Sequence, residues 1–430
     1  MAHKRLDVPV QIPKDGDQLD FTILPEPAGR EWAKLMGHKQ KLHMNILEVV
    51  ASFERVGGTE TYLKGLNAAL LKDNSVNIHL VYRTNDPTSE GRTESLGGSS
   101  LTLHPVYMTD RDFSNRIRRT VILSRRINDV LREEEIDVVN LHSVVNPTIS
   151  ASCIPALLKH VPLVVTSHAE TPPYTGRSLM AFATKILTSA ILKLADRKTG
   201  VSIPSARLLG SDTVVIGSMC DSTFFDPDAP GVDALSFKGE IGVKDEKIIL
   251  YPSRIVRPKG QLDFVKACIS LREKFGGTFK AVIVGPDHGT QYYEELIDFI
   301  HQNKLDDIVL VLPTADKKRL RNMYAASDHV VFPSYSEALG LVGLESLAMK
   351  KAVVAYATGG IPEIVRHLET GILVEKGDVS GLSEGMLRLL GDPELSRRLG
   401  ENGRQLVISE YSPQKLAERY MAMYQELVRY

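Results

Sequence analysis

His329-Val330-Val331-Phe332-Pro333-Ser334-Tyr335-Ser336-Glu337-Ala338-Leu339-Gly340-Leu341-Val342-Gly343-Leu344-Glu345 reads as a strand, a loop and the start of a helix. The strand is a short apolar run without polar alternation, which suits a strand covered on both faces. Pro333 and Ser334 end it. Helix entry is expected near Gly340, because Leu341, Leu344, Leu347 and Ala348 then recur at the spacing of one buried helical face. The first-turn amides around Gly340, Leu341 and Val342 lack internal partners and carry the positive end of the helix dipole, a place where a phosphate is favoured. Glu337 lies on the loop, and Glu345 lies one to two turns into the helix. Taken alone, these glutamates fit a solvated loop and helix face equally well.

Outward from this block the same strand-to-helix grammar recurs along the chain. Toward the N-terminus of the same half, strands are expected at 247–251, 279–284 and 308–312, and beyond it at 352–355. Upstream of an Asp-, Gly- and Pro-rich stretch at 226–245, read as an interdomain linker, the grammar runs through strands at 46–50, 78–82, 137–141, 163–166, 199–202 and 213–216. Alternating strands and helices predict parallel sheets wound on both faces. The expected architecture is therefore α/β, with two Rossmann-like domains at 44–225 and 246–412. Residues 1–43 form an N-terminal extension, read either as packing on the body through Phe21, Ile23, Leu24 and Trp32 or as a disordered tail. In open parallel sheets ligands bind beyond the carboxyl ends of the strands, so a cleft between two facing domains is the expected site.

Composition narrows the class without choosing a chemistry. A chain of 430 residues is long for one core. With 43% hydrophobic and 24% charged residues and a formal net charge of −1, it has no global field suited to nucleic acid. Three widely separated cysteines, Cys153, Cys220 and Cys268, suit neither a disulfide framework nor a zinc cluster and fit a reducing, cytoplasmic compartment. No apolar run approaches the roughly 20 residues of a spanning helix, and the polar N-terminus has no signal-peptide character. Neither His-Glu-x-x-His nor paired Cys-x-x-Cys nor a Walker loop occurs, so neither a metal site nor an NTPase is expected.

The block 333–345 resembles the Glu-x7-Glu signature of retaining glycosyltransferases with the GT-B fold, specifically family 4. The resemblance extends over most of 44–430 and is strongest from about 247 to 365. Tyr251-Pro252-Ser253-Arg254-Ile255-Val256-Arg257-Pro258-Lys259-Gly260 matches a second family element, in which the arginine and lysine clamp the donor diphosphate. That implicates Arg254 and Lys259, with Arg257 either a participant or solvated; Ser253 stands where the family usually has glycine. Thr358-Gly359-Gly360-Ile361-Pro362-Glu363 resembles the family's Gly-Gly-x-x-Glu turn, which places Gly359, Gly360 and Ser334 near the donor. Gly285-Pro286-Asp287 lacks the second glycine of the family's Gly-x-Gly loop, and Met219-Cys220 replaces Asn-Gly before Asp221.

In the first half, Gly57-Gly58-Thr59-Glu60 resembles the family's Gly-Gly-x-Glu segment. Gly57 and Gly58 are then expected beside the donor phosphates, and Thr59 and Glu60 on the acceptor side. His168, in Thr166-Ser167-His168-Ala169-Glu170, matches the family histidine that bonds the transferred sugar, although a lone histidine is otherwise more often structural. Glu345 is expected to hold the ribose, Glu337 and His168 to orient the sugar, and Arg254 and Lys259 to stabilise the leaving diphosphate without a metal. The C-terminal helix at 413–430, with Leu416, Tyr420, Tyr424 and Leu427 in one stripe, returns to the first domain if the resemblance holds.

The resemblance implies transfer of a hexosyl unit from a nucleoside diphosphate sugar to an acceptor hydroxyl, with retention and without a cofactor. The nucleotide fits UDP, GDP or ADP, and the acceptor a sugar, a lipid-linked glycan or a small molecule. A sugar-nucleotide epimerase of similar architecture and a non-catalytic nucleotide-sugar-binding subunit are the alternatives. One further stretch stands apart. Between 111 and 132, Phe113, Ile117, Val121, Ile127 and Leu131 form a helical stripe with Arg116, Arg118, Arg119, Arg125, Arg126 and Arg132 largely off it. The plain reading is a solvated face diluted by the acids at 133–135; weak peripheral membrane contact is the second.

Overall fold

The computed structural model describes residues 43–428 apart from 55–56, 97, 143–146, 170–178, 288 and 290. The reading of the extension at 1–43 therefore falls, except for His43, outside the described residues. The described residues divide into two compact units, one holding 43–219 together with 411–428, the other Cys220–Glu410.

The first unit carries β1 (Met44–Val50), β2 (Val76–Thr84), β3 (Arg92–Leu96), β4 (Ser99–Tyr107), β5 (Val138–His142), β6 (Leu163–Ser167), β7 (Arg197–Gly200) and β8 (Val214–Val215), in the order β3-β4-β2-β1-β5-β6-β7-β8. All neighbours pair in parallel except β3 with β4. Every residue of β5 and β6 is buried, which accounts for their apolar runs of Val138-Val139 and Leu163-Val164-Val165 without alternation. The antiparallel edge pair β3–β4 had no counterpart in the sequence reading. Ser, Thr, His and Pro interrupt β4, whose burial alternates along most of its length. A strand next to the sheet edge with one partly wet face needs no continuous apolar run.

The second unit carries β9 (Lys247–Pro252), β10 (Phe279–Val284), β11 (Val309–Leu312), β12 (His329–Phe332), β13 (Val353–Tyr356) and β14 (Gly371–Val374), all parallel, in the order β11-β10-β9-β12-β13-β14. Only β14 was not anticipated. This is the doubly wound order, which reverses direction between β9 and β12; the equivalent reversal in the first unit lies between β1 and β5.

Residues 226–245 differ from their reading as a linker. They carry the helix Ala234–Glu240 and belong to the second unit, where Asp226 pairs with Arg404 at 2.7 Å and Asp228 with Lys350 at 2.6 Å. Gly and Pro there serve turns on a packed surface. The helix Pro413–Val428 belongs to the first unit. The Tyr62 hydroxyl donates to that of Tyr420 at 2.9 Å, and the Asn140 amide donates to the Tyr424 hydroxyl at 2.7 Å. Two tyrosines of the stripe thus dock by buried polar bonds as well as by area.

Candidate functional site

In the second unit the site is built where the strand order reverses. The loop after β9 descends through a 3₁₀ turn, Arg257–Lys259, and that after β12 carries Glu337. The Lys259 ammonium and Glu337 carboxylate form an ion pair, both largely shielded from solvent. Pairing across 78 residues brings together the two charged groups singled out from separate motifs.

The loops are locked backbone to backbone. Gly260, at φ 74°, ends the 3₁₀ turn in the left-handed region, and a Cβ there would overlap the Pro333 carbonyl oxygen. The Tyr335 amide donates to the Pro258 carbonyl at 2.8 Å, and the Tyr251 hydroxyl to the Lys259 carbonyl. Glycine is required by both the dihedral and the close approach. The turn after β13 joins them. The Gly360 amide donates to the Glu337 carbonyl at 3.1 Å, and the Thr358 hydroxyl to the Ser334 carbonyl at 2.7 Å. Gly359, at φ 53°, makes the bend, and the buried Ser334 contributes its backbone here.

Arg254 is exposed, and among the described residues its guanidinium has no ion pair. Its backbone is fixed: the Gln261 amide donates to the Arg254 carbonyl at 2.8 Å and to the Ser253 hydroxyl at 2.7 Å. Gly285 approaches so closely that a Cβ would overlap the Ser253 carbonyl, which gives this glycine a packing role. Arg257 is engaged elsewhere, paired with Glu295 and lying over the Tyr292 ring at 5.2 Å.

The helix after the β12 loop runs Leu341–Ala348, capped by Gly340 at φ 100°. Leu341 and Val342 supply its first-turn amides. Glu345 follows, and the Tyr324 hydroxyl donates to its Oε2 at 2.9 Å. Burial pushes the Glu345 carboxyl up to about 7, against the opposing pull of that hydrogen bond. Asp263 also emerged only from the structure. It accepts from the Tyr335 hydroxyl at 2.5 Å and the Tyr356 hydroxyl at 2.9 Å, tying the β12 loop to β13. An acid in the first turn of a helix gives no signal by spacing of which distant tyrosines it will meet.

In the first unit, Gly57 caps the helix Gly58–Leu70 with extended backbone, and the Glu60 carboxylate curls back so closely that a Cβ on Gly57 would overlap it. Thr59 lies in the same first turn. His168 follows the end of β6. Its Nε2 lies 3.1 Å from Nδ1 of His142, the last residue of β5, and the Tyr62 ring meets it edge-on at 4.8 Å. His142 in turn directs Nε2 toward the buried Glu48 carboxylate at 3.8 Å, whose other oxygen accepts from the Asn67 amide at 2.8 Å. Burial, aided by His142, holds the His168 imidazole well below its ordinary pKa, so it is neutral at pH 7. His142 and Glu48 were missed in the sequence. The available signal was a histidine ending the strand beside that of His168.

Among the described residues no cluster of three or more His, Cys, Asp or Glu is placed to hold a metal ion.

Two α/β units, each with a doubly wound parallel sheet, define the GT-B class. Residues 56–213 match the family model described as Glycosyltransferase Family 4, and residues 235–406 that described as Glycosyl transferases group 1. The chain belongs to this glycosyltransferase family. It is 24% identical to the N-acetyl-alpha-D-glucosaminyl L-malate synthase of Bacillus anthracis, over 71% of this chain and 79% of that one. To the alpha-maltose-1-phosphate synthase of Mycolicibacterium smegmatis it is 28% identical, over 87% of this chain and 96% of that one. Among solved structures, Anabaena HepE in complex with UDP and glucose superposes with a TM-score of 0.69 at 18% identity, covering 89% of this chain and 100% of the other, a likeness of fold.

Proposed function

We propose that the chain is a retaining, metal-independent glycosyltransferase that moves a hexosyl unit from a nucleoside diphosphate sugar to an acceptor hydroxyl. The observation that carries this reading is the Lys259–Glu337 pair, held by interlocked loops at the strand-order reversal, with Arg254 exposed on the same β9 loop and without an ion pair among the described residues. Cleavage of a glycosyl–diphosphate bond builds negative charge on the departing phosphate. Lys259 and Arg254 supply fixed positive charge for it, and a donor phosphate takes the place of Glu337 as the lysine's partner. Glu337, so released, turns to the sugar hydroxyls. The helix N-terminus at Gly340, Leu341 and Val342 adds amide donors, and Glu345 as the carboxylate accepts from the ribose hydroxyls.

Transfer with retention needs no separate protein base. The acceptor oxygen bonds to the anomeric carbon on the face the phosphate leaves, and the leaving phosphate oxygen takes the acceptor's proton. His168 contributes a hydrogen bond. The Glu48 carboxylate favours the His142 tautomer with its proton on Nε2, so His142 Nδ1 accepts from His168 Nε2–H. His168 Nδ1 is then an acceptor for a sugar hydroxyl. In this reading the unit that carries Gly57, Gly58, Thr59 and Glu60, with the C-terminal helix, serves the acceptor, and the unit Cys220–Glu410 the donor. The free, buried cysteines accord with a reducing, cytoplasmic setting.

The likeness to a protein solved with UDP and glucose makes UDP-hexoses the first donors to try, and the malate named for one relative the first acceptor. The test incubates the purified chain with UDP-, GDP- and ADP-hexoses, an acceptor panel and EDTA, and reads nucleoside diphosphate release and product anomeric configuration by NMR. An α-linked product from an α-linked donor, formed in EDTA, is expected. An inverted product, strict metal dependence, or an epimerised nucleotide sugar from donor alone would count against the proposal.

A further inference from the structure

The first unit exposes a face that its chemistry leaves unused. The helices Arg116–Glu133, Pro147–Ser152, Ile154–Leu158 and Leu179–Leu194 contribute Leu123, Ile127, Val130, Ile149, Ala156 and Ile191 to one core against β1, β5 and β6. They therefore cover the same side of the sheet, and their opposite sides form one outer surface. Of the eleven large hydrophobic side chains exposed among the described residues, eight lie on these helices. Ile117 is 78% exposed, Leu158 76% and Phe182 62%, with Val121, Ile186 and Leu194 beside them. Such a concentration marks an interaction surface, whereas scattered exposed leucines do not.

The charge on this face is predominantly positive. The helix Leu179–Leu194 contains no acid and exposes Lys185 and Lys193 among its apolar residues. On the helix Arg116–Glu133, Arg125 and Arg132 share the exposed side with Ile117 and Val121. Among the described residues, Arg125, Arg132, Lys185 and Lys193 form no ion pair. The helix Arg116–Glu133 also carries Asp129, which is half-buried, and ends on Glu133, which pairs with Arg126 at 3.9 Å; Glu134 and Glu135 follow its end. A second copy of this chain docking face to face would set these cations against their like. An anionic bilayer complements both features: its phosphates meet the cations, and the apolar side chains enter the headgroup–acyl boundary.

We propose that the outer face of these four helices docks the protein on an anionic lipid surface, peripherally, since no described helix is long and apolar enough to cross a membrane. The test is cosedimentation of the full chain with vesicles of equal parts phosphatidylglycerol and phosphatidylcholine, and with vesicles of phosphatidylcholine alone. The wild type is expected to pellet with the first and not the second, and to be released as salt screens the attraction. Arg125→Glu combined with Lys193→Glu should lower the partition coefficient at least about tenfold, and Phe182→Ser with Ile186→Ser several-fold. All four residues are exposed, so both variants should keep the wild-type Tm; should one lose it, the salt and lipid dependence of the wild type still decides. No pelleting of the wild type, or pelleting insensitive to headgroup charge and salt, would overturn the proposal. So would a dimer, by sedimentation velocity, that the serine variant disperses while lipid binding is absent.

Discussion

The two units are both doubly wound yet equip the strand ends at and beside the reversal in opposite ways. In the second, the loops after β9 and β12 present charge, a lysine and a glutamate neutralising one another with an arginine free beside them. In the first, the ends of β5 and β6 present imidazole, with His168 bonded to His142 and its pKa held well below the ordinary value by burial. On the proposed function, the difference follows from the task of each half. A leaving diphosphate calls for fixed cations, held ligand-free by pairing, as in Lys259, or by solvent, as in Arg254. A sugar hydroxyl demands a directional acceptor, which a desolvated neutral ring supplies and a solvated cation does not.

Removing charge from the second unit should have the largest effect. Lys259→Ala should lower kcat by about 10²–10³-fold with little change in donor KM, as for loss of a group that acts on transition-state charge. Steady-state kinetics with near-normal kcat would break the contrast between the units. Next comes the loop lock. Gly260→Ala meets both a left-handed dihedral and the Pro333 carbonyl, and a loss of about 5–10 °C in Tm by differential scanning calorimetry is expected.

The first unit should respond more gently. His142→Phe leaves His168 Nε2–H without its acceptor, and a drop of about tenfold in kcat/KM is expected, consistent with one hydrogen bond to a positioning residue. His142→Gln, whose amide oxygen can accept that bond, should recover part of it; equal losses in the two variants would show that the ring is only packing. Because burial holds the His168 pKa well below its ordinary value, neither kcat nor kcat/KM should carry a titration from it at the ordinary histidine pKa of 6.5.

The smallest effect concerns Glu345, a charged-unit residue that behaves like a buried one. Its carboxyl, near 7 when folded, binds a proton more tightly than in the unfolded chain, where the ordinary value is 4.5. Its contribution to ligand-free stability is therefore full at low pH and lost as pH rises from about 4.5 to about 7, then constant above. Glu345→Gln should remove that slope in denaturant titrations. Donor affinity has the opposite sign, because only the carboxylate accepts from both ribose hydroxyls. Isothermal titration should show wild-type affinity rising a few-fold through pH 7 and the glutamine variant flat and weaker.

Much of this was legible in the chain. Apolar runs such as 247–251 and 163–166 announced strands buried on both faces, and Gly340 before Leu341 announced a helix start, because burial periodicity and glycine dihedrals are local properties. Arg254, Lys259, Glu337, Glu345 and His168 stood out by motif. The strands β3, β4 and β14, the packed character of 226–245, and the supporting residues His142, Glu48, Asp263 and Tyr324 did not. Each depends on a partner distant in sequence, and ordinary spacing carries no trace of that partner.

Sequence by itself determined the α/β grammar, its repetition in two halves, and which side chains are the candidates for the chemistry of a sugar transferase. Only the tertiary structure decided that Lys259 and Glu337 neutralise each other, that Arg257 is tied to Glu295, and that Glu48 and His142 stand behind His168. It also decided that the apolar and basic residues of four separate helices share one surface. The physical reason is common to all of these. Residue type and periodicity fix what a segment becomes, but the field, burial and partner of a side chain come from groups brought near it only when the sheet closes.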